Sequence, residues 1–256
     1  MSNIISTDKV DFYIKEHKYV SKVSGKELIS ASTLVKKYSQ PFDETGEILI
    51  NKARKLGKTP EELQKEWDEI RDTSCVVGKM YHEEVEYWVK NKKLKKGGKF
   101  KDVVEQLKLI EFKGELEAER IVASESLGIA GCIDLTENLG GNVKKLWDHK
   151  TNRELRQNGF FKKGYGYQKM LYPLNHLMDS NLVHYALQMS VYAAIEEENG
   201  AWIEGMELLY VNPKTRKIER YVMPDMRNDV FNMIDHYYNR PIKPREAEKV
   251  EDEFGF

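Results

Sequence analysis

The sequence predicts an α+β or mixed α/β protein in which a central sheet is flanked by helices. After a short hairpin, the first half carries helical patterns, residues 116–150 alternate like a meander of strands, and a helix and further strands follow. With 256 residues, 40% of them apolar and 11% aromatic, the chain can bury a substantial core. We expect one domain over 1–256, divided into a helical lobe (about 30–115), a sheet core (about 116–223) and a C-terminal helix with an acidic tail (224–256).

The N-terminal elements follow from turn and capping signals. Apolar residues on either side of a Ser-Gly-Lys turn predict a hairpin over about 10–29. Ser30 or Ser32 can cap the helix that follows. Thr59-Pro60-Glu61-Glu62 supplies an N-cap, a proline at the first helical position and acids in the first turn, which predicts a helix start. The helices expected here span about 30–38, 41–57, 60–90 (with an interruption near Thr73-Ser74 left open) and 101–113.

The second half changes to strand patterns near Leu116. A glycine-containing turn separates two of its strands, and a long aromatic-containing connection precedes the next helix. The expected elements are strands at 116–123, 127–136 and 143–150, a turn at 138–142, a connection at 152–181, a helix at 182–198, a hairpin at 205–223 and a last helix at 225–238.

Composition excludes several classes of protein. Two cysteines, Cys75 and Cys132, cannot form a four-cysteine zinc or iron–sulfur site, so we expect no iron–sulfur cluster. No apolar run is long enough for a membrane span and no secretory signal pattern begins the chain, so we expect a cytoplasmic protein without a membrane partner.

The net charge of −1 neither supports nor excludes nucleic-acid binding, but the charge is segregated. Seven lysines and no acid lie in Lys90–Lys101, whereas acids crowd Glu246–Glu253. The lysine run is either a solvated face or a surface that follows a phosphate backbone.

The segment Asp148-His149-Lys150 is the first candidate for chemistry. Side chains alternate along a strand, so Asp148 and Lys150 would share one face and His149 the other. Asp134 lies seven residues before Gly141 and Asp148 seven after it. With an odd hairpin loop, the two aspartates would face each other across the strands.

Two facing carboxylates repel and need compensation, which a divalent cation supplies. Carboxylate oxygens suit Mg²⁺ or Mn²⁺, and Lys150 would project beside the ion towards an anionic substrate. This set of groups suits phosphodiester hydrolysis, because the ion makes water more acidic and the lysine stabilises growing charge. The alternative is an ordinary surface ion pair at a strand end.

With these motifs, the sequence resembles the PD-(D/E)XK nuclease superfamily, in particular its RecB-like exonuclease branch, which contains phage exonucleases and the mitochondrial genome maintenance exonuclease. Four motifs match in order over about residues 17–212. They are Gly78–His82 followed by Glu86, Gly131–Asp134, Asp148–Thr151, and Gln188-Met189-Ser190-Val191-Tyr192. No proline precedes Asp134 and the second acid is Asp rather than Glu, so the match departs from the family signature there.

The resemblance implies a restriction-endonuclease-like central mixed sheet and a role for each residue. Asp134, Asp148 and Lys150 would be catalytic. His82, Asp134, Asp148 and the main-chain oxygen of His149 would hold Mg²⁺ or Mn²⁺, and a nitrogen donor favours Mn²⁺. Read without the resemblance, a single histidine on a helix is more often structural than a ligand.

Two further groups are candidates for DNA binding. Gln188 and Tyr192 share one face of a helix, where they could contact DNA, support Lys150, or simply border an apolar stripe. The connection 160–169 interleaves aromatics with cations, including Lys162, Lys163 and Tyr165, as expected for single-stranded DNA. Its aromatic residues could instead pack back onto the sheet.

The sequence therefore predicts a metal-dependent DNA exonuclease acting on DNA ends or single strands. The resemblance places it in phage or bacterial recombination and repair, with a recombination or single-strand-binding protein as a possible further partner. Two alternatives are a structure-specific or restriction-type endonuclease on the same fold and a DNA-binding module with a decayed site. Cleavage polarity and oligomeric state stay open.

Overall fold

The computed structural model describes residues 4–41 and 46–240, and it confirms a mixed sheet flanked by helices. Nine strands form the main sheet: β1 Ile4–Ser6, β2 Val10–Tyr13, β3 Lys18–Ser21, β4 Glu27–Ser30, β5 Glu115–Ser124, β6 Ile129–Gly140, β7 Val143–Lys150, β10 Trp202–Val211 and β11 Ile218–Val222. Eight of them lie in the order β1-β2-β3-β4-β6-β7-β10-β11, and β5 pairs with β6. The pairs β4–β6 and β7–β10 are parallel and the other pairs are antiparallel. A separate hairpin consists of β8 Phe161–Lys162 and β9 Gly166–Tyr167.

The helices fill the connections between these strands. They are α1 Ala31–Lys36, α2 Glu47–Leu56, α3 Pro60–Asn91, α4 Lys101–Leu107, α5 Asn181–Glu198 and α6 Arg227–Tyr237. Ser30 caps α1, and Thr59, the predicted N-cap, begins α3, where it forms a capping box with Glu62. The predicted acidic tail, Glu246–Glu253, lies outside the described residues.

The sheet separates two apolar clusters. Alternate residues of β7 face opposite clusters: Leu146 packs with α1, α5 and α6, and Trp147 packs with α3 and α4. The same alternation in β6 assigns Ile133 to the first cluster and Leu135 to the second. Because both faces are covered, a polar group in the middle of these strands is desolvated.

Two predicted helix boundaries were wrong, and one open question about a helix is answered. The helix expected to open at Pro41 begins at Glu47, and the one expected to reach residue 113 ends at Leu107. The interruption left open near Thr73-Ser74 is absent from α3, where the Ser74 hydroxyl donates to the Ile70 carbonyl 2.7 Å away and the helix continues.

The first part of α3 projects from the body of the protein. Residues 69–77 are exposed on all sides, and α2 packs beside the helix start through a small apolar cluster that includes Leu49, Leu63 and Trp67. We call α2 and residues 60–77 of α3 the α2–α3 arm. In the parts of the chain that the structure describes, no helix is both long and apolar enough to cross a bilayer.

Candidate metal and phosphodiester site

The β6–β7 hairpin sets the positions of the two aspartates. Its ladder pairs Thr136 with Leu146 and ends at Leu135 and Trp147, so the same register puts Asp134 opposite Asp148 one step further. The strands separate there. The amide of His149 donates instead to Oδ2 of Asp134, at 2.8 Å. The Asp134 side chain therefore occupies the gap that opens between the strands.

Lys150 links the two aspartates. Its Nζ forms a close ion pair with Asp148 Oδ2 and lies 3.8 Å from Asp134 Oδ2. The Asp148 side chain is buried, and the Lys150 ammonium is its partner in the described structure. The predicted association of two acids and one ammonium group is thus present in the geometry, with the lysine directly between the acids.

Helix α3 brings His82 to the same place. Tyr81 and Val85 bury their side chains against the sheet, which fixes the rotation of the helix. His82 Nδ1 then lies 3.7 Å from Asp134 Oδ1. One turn earlier, a Cβ atom added to Gly78 would be 3.7 Å from Thr151 Oγ1, so the helix passes closely over the end of β7.

The structure adds Glu119, which the sequence analysis missed. Its Oε1 lies 3.1 Å from His82 Nδ1, and its other oxygen, Oε2, accepts from the Cys132 thiol at 3.4 Å. Glu119 has a positive φ of 53° and no Cα partner in the β5–β6 ladder, although Ala118 and Arg120 on either side are paired. The register is the same on both sides of Glu119, so the distortion is confined to its backbone torsion and turns its side chain towards His82. In the sequence, nothing distinguishes this glutamate from Glu117.

The donor set fits a divalent cation. One imidazole nitrogen and two carboxylate oxygens, from His82, Glu119 and Asp134, lie within 4.8 Å of one another, and such mixed donors suit Mn²⁺ or Mg²⁺. Asp148 lies outside this triad, on the lysine side. Both Asp148 oxygens are buried, and neither has a hydrogen bond of good geometry within the described residues, although Oδ2 forms the ion pair with Lys150. The His149 imidazole is buried beside the Tyr81 hydroxyl, and a main-chain ligand role for His149 stays a prediction.

Burial and mutual charge shift the titration of this group of residues. Burial would raise the pKa of Asp134, but the charges of His82 and Lys150 lower it to about 2. Burial lowers the pKa of Lys150, yet Asp148 and Asp134 outweigh it and hold that pKa above its usual range. Burial and the charge of Asp134 raise the pKa of Asp148 against the opposing effect of Lys150.

The pKa values of His82 and His149 shift in opposite directions. Burial disfavours the charged form of His82, but Asp134 and Glu119 raise its pKa to about 9. His149 has no comparable hydrogen-bonded carboxylate, and burial lowers its pKa to about 3. At neutral pH, without a cation, His82 and Lys150 are therefore charged and His149 is neutral.

The residues predicted to bind DNA fall into two different environments. Tyr192 is 4% exposed. Its ring lies over Gly131, where an added Cβ would approach within 2.5 Å, and its hydroxyl accepts from Gln188 Nε2 at 2.9 Å. Tyr192 thus has a packing position beside β6 with no surface for a nucleotide, whereas Gln188 is half-buried at the rim.

Lys162, Lys163 and Tyr165 lie on or next to the β8–β9 hairpin, and all three are exposed. The Lys162 ammonium lies 4.9 Å from the centre of the Tyr165 ring. Phe161 and Tyr167 meet edge to face across the hairpin and are exposed too. The alternative in which these aromatic residues pack back onto the sheet is therefore wrong.

Comparisons with known proteins give fold-level similarity alone. No family model matches the sequence, and no curated protein matches it. Among solved structures, a protein from Eubacterium rectale with the provisional description of an exonuclease is 16% identical, with a TM-score of 0.47 over 83% of this chain and 79% of that one. A protein designated SSO0001 is also 16% identical, with a TM-score of 0.35 over 83% of this chain and 76% of that one. At this similarity neither structure informs the chemistry, which rests on the residues themselves.

Proposed function

We propose that the protein is a metal-dependent DNA exonuclease that hydrolyses phosphodiester bonds at DNA ends or in single strands. The observation that carries the proposal is the Lys150 ammonium held between Asp148 and Asp134, beside the donors of His82 and Glu119. An ammonium group next to a cation site matches the charge of a phosphodiester in its transition state.

The chain's own residues divide the work. Asp134, oriented by the His149 amide, serves as the donor that lies near both His82, at 3.7 Å, and Lys150, at 3.8 Å. Asp148 holds the lysine in place, and the raised pKa of Lys150 keeps it an ammonium that stabilises charge growing on the phosphoryl oxygens. A bound Mg²⁺ or Mn²⁺ would supply Lewis-acid polarisation of the phosphate and a lower pKa for water.

Two projecting parts would form the DNA channel. The α2–α3 arm returns to the body at Gly78, directly over Thr151 and next to the candidate site. The β8–β9 hairpin belongs to the connection that leaves β7 immediately after Lys150 and offers exposed rings and lysines. Rings that stack on bases and cations that hold the backbone favour a single strand.

The test is digestion of labelled single- and double-stranded DNA with Mn²⁺ or Mg²⁺. We expect wild type to degrade the label, Lys150→Ala to lose at least about 100-fold in rate, and a control variant at an exposed turn lysine, Lys214→Ala, to match wild type. If wild type and Lys150→Ala behave alike, the assignment fails.

Two further measurements separate the alternatives. Digestion of closed circular DNA would indicate a structure-specific or restriction-type endonuclease instead of an end-dependent enzyme. Calorimetric titration with Mn²⁺ would give no heat of binding for a DNA-binding module with a decayed site. A recombination or single-strand-binding protein partner stays a proposal that rests on the same activity.

A further inference from the structure

A cavity of about 700 Å³ opens next to the catalytic lysine, between α1, α5 and the connection that precedes α5. Tyr185 lines it, and the centre of the Tyr185 ring lies 4.9 Å from Lys150 Nζ. The ring therefore borders the candidate reaction site on one side and the cavity on the other. We call this cavity the α1–α5 pocket.

The walls of the α1–α5 pocket carry the chemistry of a nucleotide site. Tyr185, Val35 and Leu171 provide an aromatic ring and apolar surface, and Lys36 is an exposed cation at the rim. Small-molecule sites commonly combine an apolar lining with a few placed polar groups. A ring next to a cation is the arrangement that takes a base and its phosphate.

Gln188 is the placed polar group. Its Nε2 donates to Tyr192 OH at 2.9 Å, which fixes the amide plane. No hydrogen bond within the described residues uses its Oε1, so that oxygen can accept from an exocyclic amino group or a ring N–H of a base. The buried Tyr192 hydroxyl would thus orient Gln188 towards a ligand in the pocket.

The opposite wall is already held in place. Asp179 accepts from the Gln40 amide at 2.7 Å and pairs with His184 Nε2 at 2.6 Å. These contacts tie the turn after α1 to the start of α5. A pocket whose walls are fixed before binding loses less free energy when a ligand enters.

We propose that the α1–α5 pocket receives the nucleobase next to the scissile phosphate, stacked on Tyr185 and hydrogen-bonded to Gln188. This inference rests on the proposed nuclease function and deepens it. It makes cleavage dependent on a base at one defined nucleotide, whatever its identity, because every base has a stacking face.

The binding test uses single-stranded oligonucleotides with 2-aminopurine at successive positions from each end, in EDTA so that no cleavage occurs. We expect fluorescence quenching at one position, retained in Tyr185→Phe and lost in Tyr185→Leu. An exposed tyrosine on α3 gives the matched control, Tyr87→Leu, which should quench like wild type. Quenching that survives Tyr185→Leu, or that follows a terminal phosphate instead of the base, would overturn the proposal.

The cleavage test uses the same strands with an abasic site at that position. Wild type should cut the abasic strand about tenfold more slowly than the intact strand, and Tyr185→Leu should cut both at one reduced rate. Equal rates for both strands in an active wild type would overturn the pocket and leave the nuclease function standing. If wild type neither cleaves nor binds either strand, the nuclease function itself is overturned.

Discussion

Glu119 shows how one backbone torsion completes a site. Its φ of 53° takes it out of the β5–β6 ladder and puts its carboxylate 3.1 Å from His82. A non-glycine residue in that conformation is costly and tends to persist at functional positions. The strain at this position and the donor role therefore support each other.

We predict that Glu119→Gln weakens Mn²⁺ binding about tenfold or more, because a neutral amide replaces a charged donor. Calorimetric titration and the Mn²⁺-induced rise in melting temperature both measure this. Glu117→Gln changes an exposed glutamate two residues earlier on the same strand and should bind Mn²⁺ like wild type. Equal Mn²⁺ affinity in all three proteins would remove Glu119 from the donor set.

The residues of the site differ in how far the sequence could predict them. Asp134, Asp148 and Lys150 belong to one hairpin, so local register alone brings them together. His82 needed the resemblance, since its approach depends on how α3 packs. Glu119 depends on a local backbone distortion that no residue type in the sequence indicates, so it could not be predicted.

At the scale of elements, helix α5 packs closely against strand β6 beside the site. The Tyr192 ring on α5 occupies the space over Gly131 on β6. This close approach of the two elements places Gln188, which donates to the Tyr192 hydroxyl, at the rim. A methyl group at position 131 would force the ring to move.

We predict that Gly131→Ala lowers the free energy of unfolding by about 1–3 kcal/mol through overpacking. Gly205→Ala, in β10, adds its methyl where no atom lies within 4 Å and should change the free energy of unfolding by less than about 0.5 kcal/mol. Urea denaturation measures both. If the two variants are equally stable, the close approach of Tyr192 to β6 is not needed.

Ion pairs stabilise the start of α6. Arg227 forms close ion pairs with Asp225 and with Glu197 of α5. Burial would raise the pKa of Asp225, but hydrogen bonds from Arg227 lower it. A depressed carboxyl pKa contributes stability above the unfolded value of 3.8, and this stability is lost as the pH falls through the lower folded value.

Arg227→Gln should therefore destabilise the protein by about 0.5–1 kcal/mol at neutral pH, a value limited by partial exposure. The difference from wild type should shrink as the pH falls below 3.8 and through the lower folded pKa of Asp225. Urea denaturation at neutral pH and in acid measures this difference, with Arg54→Gln as a control at another surface arginine. A difference that persists unchanged in acid would mean that the arginine acts through packing.

At the scale of the whole molecule, the exposed rings of the β8–β9 hairpin belong to the segment that follows Lys150 at the end of β7. We predict that Tyr165→Ala, which removes a ring that is 82% exposed, lowers affinity for single-stranded DNA about tenfold and leaves the melting temperature unchanged. Trp202 is 67% exposed and pairs with Val143, at the far end of β7 from Lys150.

Trp202→Ala is therefore the matched control, and it should bind single-stranded DNA like wild type. Fluorescence anisotropy with a labelled oligonucleotide measures all three proteins. The same affinity in Tyr165→Ala and Trp202→Ala would remove the hairpin from the DNA-binding surface.

The architecture was more predictable than its boundaries. The order of helical and strand-like segments predicted a sheet flanked by helices, and in the structure β6 and β7 lie between two apolar clusters. The exposed course of α3 over residues 69–77 could not be predicted, because helix signals act locally and do not say what a helix packs against.

The two cysteines differ in a way that offers a practical handle. Cys75 is exposed on the α2–α3 arm, whereas Cys132 lies beside Glu119, where burial raises the pKa of its thiol. Alkylating reagents attack thiolates, so a fluorophore can be attached at Cys75 without altering a single residue. The fluorophore would lie on the same helix as His82, roughly 10 Å away along the helix axis. Its fluorescence could therefore follow the binding of a nucleic-acid strand in real time.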